Sequence, residues 1–154
     1  MIAMAIACNP RLLIADEPTT ALDVTIQAEI LLLLKRLREE LGMSMLLITH
    51  DLAVISEQAD HGAIMYLGRI VESAPVGELL SSPLHPYTQG LLNSLPAEKG
   101  KRLTPIKGFV PDPSRIPVGC KFYDRCPIAD KHCNDFEPAL EVKVAGHLVR
   151  CIKV

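Results

Sequence analysis

The chain has 154 residues, 49% of them hydrophobic, which is enough to bury one sizeable core together with a small appendage. Its formal net charge of −2 and its pI near 6.2 exclude a strongly basic surface, so we expect no nucleic-acid partner. No apolar run approaches the roughly 20 residues that a membrane-spanning helix needs, and the apolar residues 1–8 lack a basic leader, so we predict a cytosolic protein.

The first informative element is an apolar run at residues 12–15, which ends in two adjacent carboxylates, Asp16 and Glu17, and then Pro18. An unbroken apolar run of this kind predicts a central strand of a parallel sheet, buried on both faces. Open parallel sheets bind their ligands at the carboxyl ends of the strands. Because two neighbouring carboxylates repel each other, the pair predicts a bound cation or a catalytic role.

The following residues predict a helix and a second parallel strand. Helical spacing of apolar residues extends over about Val24–Leu41, with Asp23 as a candidate N-cap and Gly42 as the stop. Residues 44–49 form a second apolar run, which ends at His50. In a strand–helix–strand unit both strands end at the same edge of the sheet, so we expect His50 to lie beside the acidic pair.

Beyond this unit the predicted elements are shorter. Two strands around Gly68 are typical of a hairpin, two short helices follow, and a proline-rich stretch then predicts a linker. The last segment carries four of the five cysteines. We therefore predict an α/β fold in three parts, residues 1–95, a linker at 96–118, and a small, irregular, Cys-rich extension at 119–154.

The order of these motifs resembles the second half of an ATP-binding cassette ATPase, a P-loop NTPase domain with parallel strands and a crossover helix. The run ending in Asp16 and Glu17 resembles a Walker B strand, the segment Ala21-Leu22-Asp23 resembles the D-loop, and Thr49-His50-Asp51 resembles the switch loop. The resemblance implies that Asp16 binds Mg²⁺ and that Glu17 is the general base. It also implies that Asp23 is the D-loop acid at the nucleotide site and that His50 senses the γ-phosphate of ATP.

The later residues narrow the resemblance to the ATPase subunits of dipeptide and oligopeptide importers. The segment from Tyr66 to Glu72, the sequence His85-Pro86-Tyr87-Thr88, the proline-rich stretch and the cysteines follow one another as in that family. The resemblance implies ATP and Mg²⁺ as cofactors and a peripheral position on the cytoplasmic side of the cell membrane. It implies as partners a second, homologous ATPase subunit, transmembrane permease subunits and, indirectly, a periplasmic or extracellular peptide-binding protein.

The 154 residues contain no Gly-x-x-x-x-Gly-Lys-[Ser/Thr] phosphate loop, no Gln-loop and no Ser-Gly-Gly-Gln signature segment. These segments supply most phosphate contacts in the family, so we expect this polypeptide alone neither to bind ATP tightly nor to hydrolyse it. Two alternatives to an active importer subunit stay open. One is a catalytically inactive remnant or truncated product, and the other is a stand-alone metal or iron–sulfur module.

The four clustered cysteines, Cys120, Cys126, Cys133 and Cys151, are spaced C-x5-C-x6-C-x17-C. In a reducing compartment such a cluster favours a metal site over disulfides. The spacing is not the paired C-x2-C of common zinc modules. Four thiolates suit a [4Fe–4S] cluster, which the family resemblance also implies, while zinc with His132 or His147 as substitute ligands is the alternative. Four thiols without metal are the third possibility.

Overall fold

The computed structural model describes residues 1–95 and 105–154, so the first part of the predicted linker, residues 96–104, lies outside the described residues. The described chain forms two compact units, Met1–Ala59 and Asp60–Val154. Each unit has its own sheet, one parallel and one antiparallel. No helix in the two described ranges is long and apolar enough to cross a bilayer.

The first unit contains the predicted strand–helix–strand arrangement. Its elements are, in order, α1 (Ile2–Ile6), β1 (Leu12–Asp16), α2 (Val24–Leu41), β2 (Ser44–Ile48) and α3 (Leu52–Gln58). Strands β1 and β2 pair in parallel, with Leu12 opposite Ser44 and Asp16 opposite Ile48. Both strands therefore end at the same edge of the sheet.

Both ends of α2 are determined by local chemistry. At its start, the Asp23 carboxylate accepts hydrogen bonds from the backbone N–H groups of Thr25 and Ile26, at 3.1 and 3.0 Å. At its end, Gly42 takes the left-handed conformation with φ 60° and donates its N–H to the Arg38 carbonyl. These two contacts explain why the sequence predicts the bounds of this helix correctly.

The expectation that the first strand is buried on both faces is wrong for this chain. Leu13 packs with Leu34 of α2 and with Met43 in the core of the unit. On the opposite face of β1, Leu12 and Ile14 are 53% and 61% exposed. A single crossover helix covers only one face of a two-stranded sheet, which is why alternate residues of β1 stay exposed.

The second unit is built on an antiparallel sheet. Its elements are β3 (His61–Tyr66), β4 (Arg69–Pro75), α4 (Val76–Ser81), α5 (Pro86–Asn93), 3₁₀ turns at Pro113–Arg115 and Tyr123–Arg125, α6 (Lys131–Asp135), β5 (Glu141–Val144) and β6 (His147–Val149). The strand order is β3-β4-β6-β5. Leu67 and Gly68, both with positive φ, form the predicted hairpin turn between β3 and β4.

The Cys-rich tail is irregular only in part, because it contains α6, β5 and β6 and adds two strands to the sheet of the second unit. Strand β6 pairs with β4, with Glu72 opposite Val149 and Ser73 opposite Leu148. The boundary between the two compact units falls between Ala59 and Asp60, so the tail belongs to the second unit. The reason is that strand pairing joins residues about 75 positions apart in the chain, which local composition does not report.

Candidate functional site

The carboxyl edge of the parallel sheet brings together two of the predicted site residues. Pairing continues one residue beyond β1, because the Glu17 N–H donates to the Ile48 carbonyl at 2.9 Å. The side chains that follow the two strands then meet, and His50 Nδ1 lies 2.7 Å from Glu17 Oε1. The His50 side chain is 84% exposed, so the pair faces solvent and is accessible to a ligand.

Each side chain of the pair favours the charged form of the other. The hydrogen bond to His50 lowers the pKa of the Glu17 carboxyl, and the same bond raises the pKa of the His50 imidazole. The charge–charge attraction between the two side chains is therefore fully present at pH values above the lowered pKa of Glu17 and below the raised pKa of His50. Within that range Glu17 is a weaker base than a free glutamate and acts first as a hydrogen-bond acceptor.

Two residues of the segment that follows β1 have an unfavourable backbone conformation. Glu17 has φ 46° and Ala21 has φ 66°, both in the left-handed region that residues with a β-carbon rarely adopt. Such a conformation costs on the order of 1 kcal/mol and persists where the surrounding bonds enforce it. At Glu17 those bonds are the extension of the sheet and a turn in which the Thr20 N–H donates to the Glu17 carbonyl at 3.1 Å.

The two remaining acidic residues have different environments. Asp16 is the last residue of β1 and its side chain is exposed at the edge of the sheet, beside Glu17. Carboxylate oxygens are the ligands that Mg²⁺ prefers, and the Mg²⁺ role of Asp16 that the family resemblance implies stays a prediction. The Asp23 side chain caps the N-terminus of α2, and this helix cap explains why an aspartate stands at that position.

The four clustered cysteines converge in the second unit. All four line one cavity, together with His85 and Phe122. Cys133 and Cys151 are buried, whereas Cys120 and Cys126 are half-buried. Burial raises the pKa of the Cys120 and Cys126 thiols, so both are protonated near neutral pH. The four thiols are free and none forms a disulfide.

The iron–sulfur part of the prediction is not supported by the arrangement of these side chains. Across residues 1–95 and 105–154, no group of three or more His, Cys, Asp or Glu residues is placed to hold a metal ion. The alternative zinc ligand His147 is otherwise engaged, because its Nε2 lies 2.6 Å from Glu72 Oε1 in the interior. The donor atoms are of the right type for a thiophilic metal, but their placement is not that of a closed site.

A buried polar network around Glu72 was not predicted. Glu72 has no exposed surface, and its two carboxylate oxygens accept the N–H groups of Leu84 and His85 at 2.6 and 3.0 Å in addition to pairing with His147. His85 in turn accepts the Tyr87 N–H on its Nδ1, at 3.0 Å, and thereby caps α5. The signal in the sequence is an acidic residue inside an apolar strand, which requires a buried partner.

Comparison with known proteins shows what this chain is similar to. Residues 71–133 match the family model described as the C-terminal region of the oligopeptide/dipeptide transporter. The oligopeptide transport ATP-binding protein AppD of Bacillus subtilis is 54% identical over 98% of this chain and 47% of its own length. A peptide import ATP-binding protein of Brucella melitensis is 50% identical over 98% of this chain and 46% of its own length.

Among solved structures, CbiO1 of Clostridium perfringens, part of the ABC transporter complex CbiONQ, is similar to 47% of this chain. The identity is 33%, the match covers 29% of that protein, and the TM-score of 0.44 is too low to establish a common fold. The chain spans about half the length of the curated relatives that it matches.

Proposed function

Because this chain is homologous to a C-terminal region of peptide import ATP-binding proteins, we propose that it forms part of an ATPase that energises peptide import. The observation that carries the proposal is the Glu17–His50 pair at the carboxyl edge of a parallel sheet, accessible to solvent and next to Asp16. In open parallel sheets this edge is where ligands bind.

The proposed roles follow from the side chains at that edge. Asp16 would hold Mg²⁺, and the metal would offset the negative charge of the phosphate oxygens of ATP. Glu17 accepts a hydrogen bond from the attacking water and orients it, and it gains basicity as its bond to His50 weakens. His50, held at Nδ1 by Glu17, presents its other ring nitrogen to a phosphate oxygen. Asp23 contributes indirectly, by fixing the start of α2 after the D-loop.

The proposed partners are those of an importer subunit. They are a second, homologous ATPase subunit and transmembrane permease subunits, with the chain on the cytoplasmic face of the membrane. The support is the name of the relatives, which are peptide import and oligopeptide transport ATP-binding proteins. Peptides are the proposed cargo on the same ground.

The test is a chimaera in which this chain replaces the matching region of the Bacillus subtilis relative. We expect the chimaera to hydrolyse ATP, and Glu17→Gln to lower kcat by about 10²-fold or more with a nearly unchanged KM, because the substitution removes the charged acceptor. His50→Ala is expected to act in the same direction. The isolated 154-residue polypeptide, which lacks a phosphate-loop sequence, is expected to show no turnover.

The matched control for that experiment is Glu57→Gln, the same chemical change on an exposed position of α3. It should leave kcat within about twofold, since exposed substitutions away from a site have small effects. A Glu17→Gln chimaera that hydrolyses ATP as fast as the Glu57→Gln chimaera would remove the proposed catalytic role.

We propose as a second function that Cys120, Cys126, Cys133 and Cys151 bind a thiophilic metal, either as a [4Fe–4S] cluster or as zinc. The supporting observation is that all four thiols line one cavity, although their placement is not that of a closed site. Metal binding requires thiolates, so it would displace the protons that burial retains on Cys120 and Cys126.

Metal content after anaerobic purification tests this second function. About four iron atoms per chain with visible iron–sulfur absorbance is the expected result for a cluster, and about one zinc per chain is expected for the alternative. Cys126→Ser should abolish either signal, whereas Cys8→Ser, at an exposed cysteine in the first unit, should not. If neither iron nor zinc is found above background, the proposal is wrong.

A further inference from the structure

Each oxygen of the Glu17 carboxylate has a side-chain partner. The sequence predicts that His50 lies near Glu17, but it does not predict a contact with Thr20. His50 engages Oε1, while the Thr20 hydroxyl donates to Oε2 at 3.0 Å. A carboxylate offers about four lone-pair positions, so these two bonds leave one free acceptor position on each oxygen. The orientation of the carboxylate plane is thereby determined from two sides.

The placement of the Thr20 hydroxyl is itself determined by the backbone. Thr20 lies three residues after Glu17, and its N–H donates to the Glu17 carbonyl at 3.1 Å, which closes the turn that contains Pro18. Glu17 itself has a left-handed φ of 46°, and one short segment therefore bonds both the backbone and the side chain of that residue. The hydroxyl therefore holds the carboxylate with little additional loss of side-chain entropy.

We propose that Thr20 is a positioning residue that holds Oε2 of Glu17, so that the carboxylate keeps the orientation in which it accepts the hydrogen bond of the attacking water. This inference rests on the proposed ATPase function for its meaning, but the contact itself exists without nucleotide. The lowered pKa of the carboxyl agrees with it, since Thr20 is among its causes after His50. The simpler alternative is that the hydroxyl only stabilises the turn.

Side-chain relaxation by NMR on the 154-residue chain separates these two roles. Thr20→Val removes the hydroxyl at nearly constant volume, and Thr20→Ser restores it. We expect the order parameter of the Glu17 γ-methylene to be high in the parent chain and to fall below about 0.6 in Thr20→Val. In Thr20→Ser it should stay as high as in the parent chain. The backbone amide order of residues 17–20 should remain high in both variants, because the backbone bond of the turn is unchanged.

Thr19→Val is the matched control, since Thr19 contributes its carbonyl to the next turn, at 3.2 Å from the Leu22 N–H, and should leave Glu17 rigid. Retained Glu17 order in Thr20→Val, or loss of backbone order together with side-chain order, would overturn the proposal. In the chimaera, Thr20→Val should lower kcat by about tenfold at unchanged KM, and Thr20→Ser should restore it.

The two measurements also separate this proposal from the ATPase proposal. If Glu17→Gln leaves hydrolysis unchanged while Thr20→Val still releases the Glu17 side chain, the positioning contact stands and the catalytic role of Glu17 fails. If Glu17→Gln abolishes hydrolysis while Thr20→Val leaves Glu17 rigid and kcat unchanged, the ATPase function stands and the positioning role of Thr20 is wrong.

Discussion

His85 is the residue whose chemistry depends most on its surroundings. It is 1% exposed, its Nδ1 accepts the N–H of Tyr87, and its backbone N–H is bound by Glu72. Burial lowers the pKa of the His85 imidazole to about 4, so the ring is neutral in the folded chain at ordinary pH. In the unfolded chain the same ring titrates near pH 6.5, which makes the stability of the second unit depend on pH.

Acidification should therefore destabilise the second unit in a defined range. Since the pKa is lowered on folding, the contribution of His85 is fully present above about pH 6.5 and is lost progressively towards pH 4, by roughly 3 kcal/mol in total. All three tyrosines, Tyr66, Tyr87 and Tyr123, lie in this unit, so urea unfolding followed by tyrosine fluorescence reports on it alone.

The variant that tests this prediction is His85→Asn, which retains an acceptor for the Tyr87 N–H but does not titrate. Its unfolding free energy should be lower than that of the parent at neutral pH, because the smaller side chain leaves a cavity, and it should fall less steeply between pH 6.5 and 4. Equal slopes in the two proteins would show that His85 is not the titrating group.

At the scale of elements, the Cys-rich tail is closely packed. Gly119 and Cys120, which precede the second 3₁₀ turn, contact the end of α6. The Cys120 N–H donates to the Cys133 carbonyl at 2.8 Å. A β-carbon added at Gly119 would lie 2.3 Å from the Asn134 carbonyl oxygen, which is backbone and cannot rotate away. The glycine is therefore required by close approach of two backbone segments and not by its own φ.

We predict that Gly119→Ala destabilises the second unit by about 2 kcal/mol or more, because the two segments must separate to admit the methyl group. Gly77→Ala in α4 is the matched control, since nothing lies within 4 Å of its β-carbon position and alanine favours a helix. Tyrosine-monitored urea unfolding should show a lower midpoint for Gly119→Ala and an equal or higher midpoint for Gly77→Ala. Similar midpoints for both variants would contradict this account.

At the scale of the whole chain, both units leave apolar side chains exposed, and in the first unit several of them lie together on one face of its sheet. The second unit has a sheet whose core side includes fully buried Glu72, Ala74 and Val149. In the first unit, the face of the sheet opposite α2 carries four apolar side chains that are 45–61% exposed, Leu12, Ile14, Leu46 and Ile48. An exposed apolar face of this kind is typical of an interaction surface.

This exposed face predicts that the 154-residue polypeptide binds the hydrophobic dye ANS under native conditions. The double variant Ile14→Thr, Leu46→Thr places β-branched polar residues on the exposed face and should lower dye fluorescence by about half without loss of helical circular dichroism. Leu13→Thr, on the buried face of the same strand, should instead reduce the circular dichroism of the first unit by destabilising its core. Dye binding unaffected by the double variant would place the surface elsewhere.

The sequence by itself determined the features that depend on neighbours in the chain. The bounds of α2 follow from Asp23 and Gly42, the hairpin turn follows from Gly68, and the strand–helix–strand pattern places Glu17 near His50. These features can be predicted from the sequence because helix capping, turn conformation and hydrophobic periodicity depend on residues that are close together in the chain. The approach of Glu17 to His50 then follows from the parallel pairing of two strands joined by one helix.

Only the tertiary structure decided the contacts between distant segments. The pairing of β4 with β6, the bond between Glu72 and His147, and the common cavity of the four cysteines join residues that share no local pattern. The exposed face of β1 was unpredictable for a related reason, since an apolar run indicates that a strand can be buried but not what covers it. Long-range pairing and burial depend on the packing of whole elements, which neither periodicity nor composition reports.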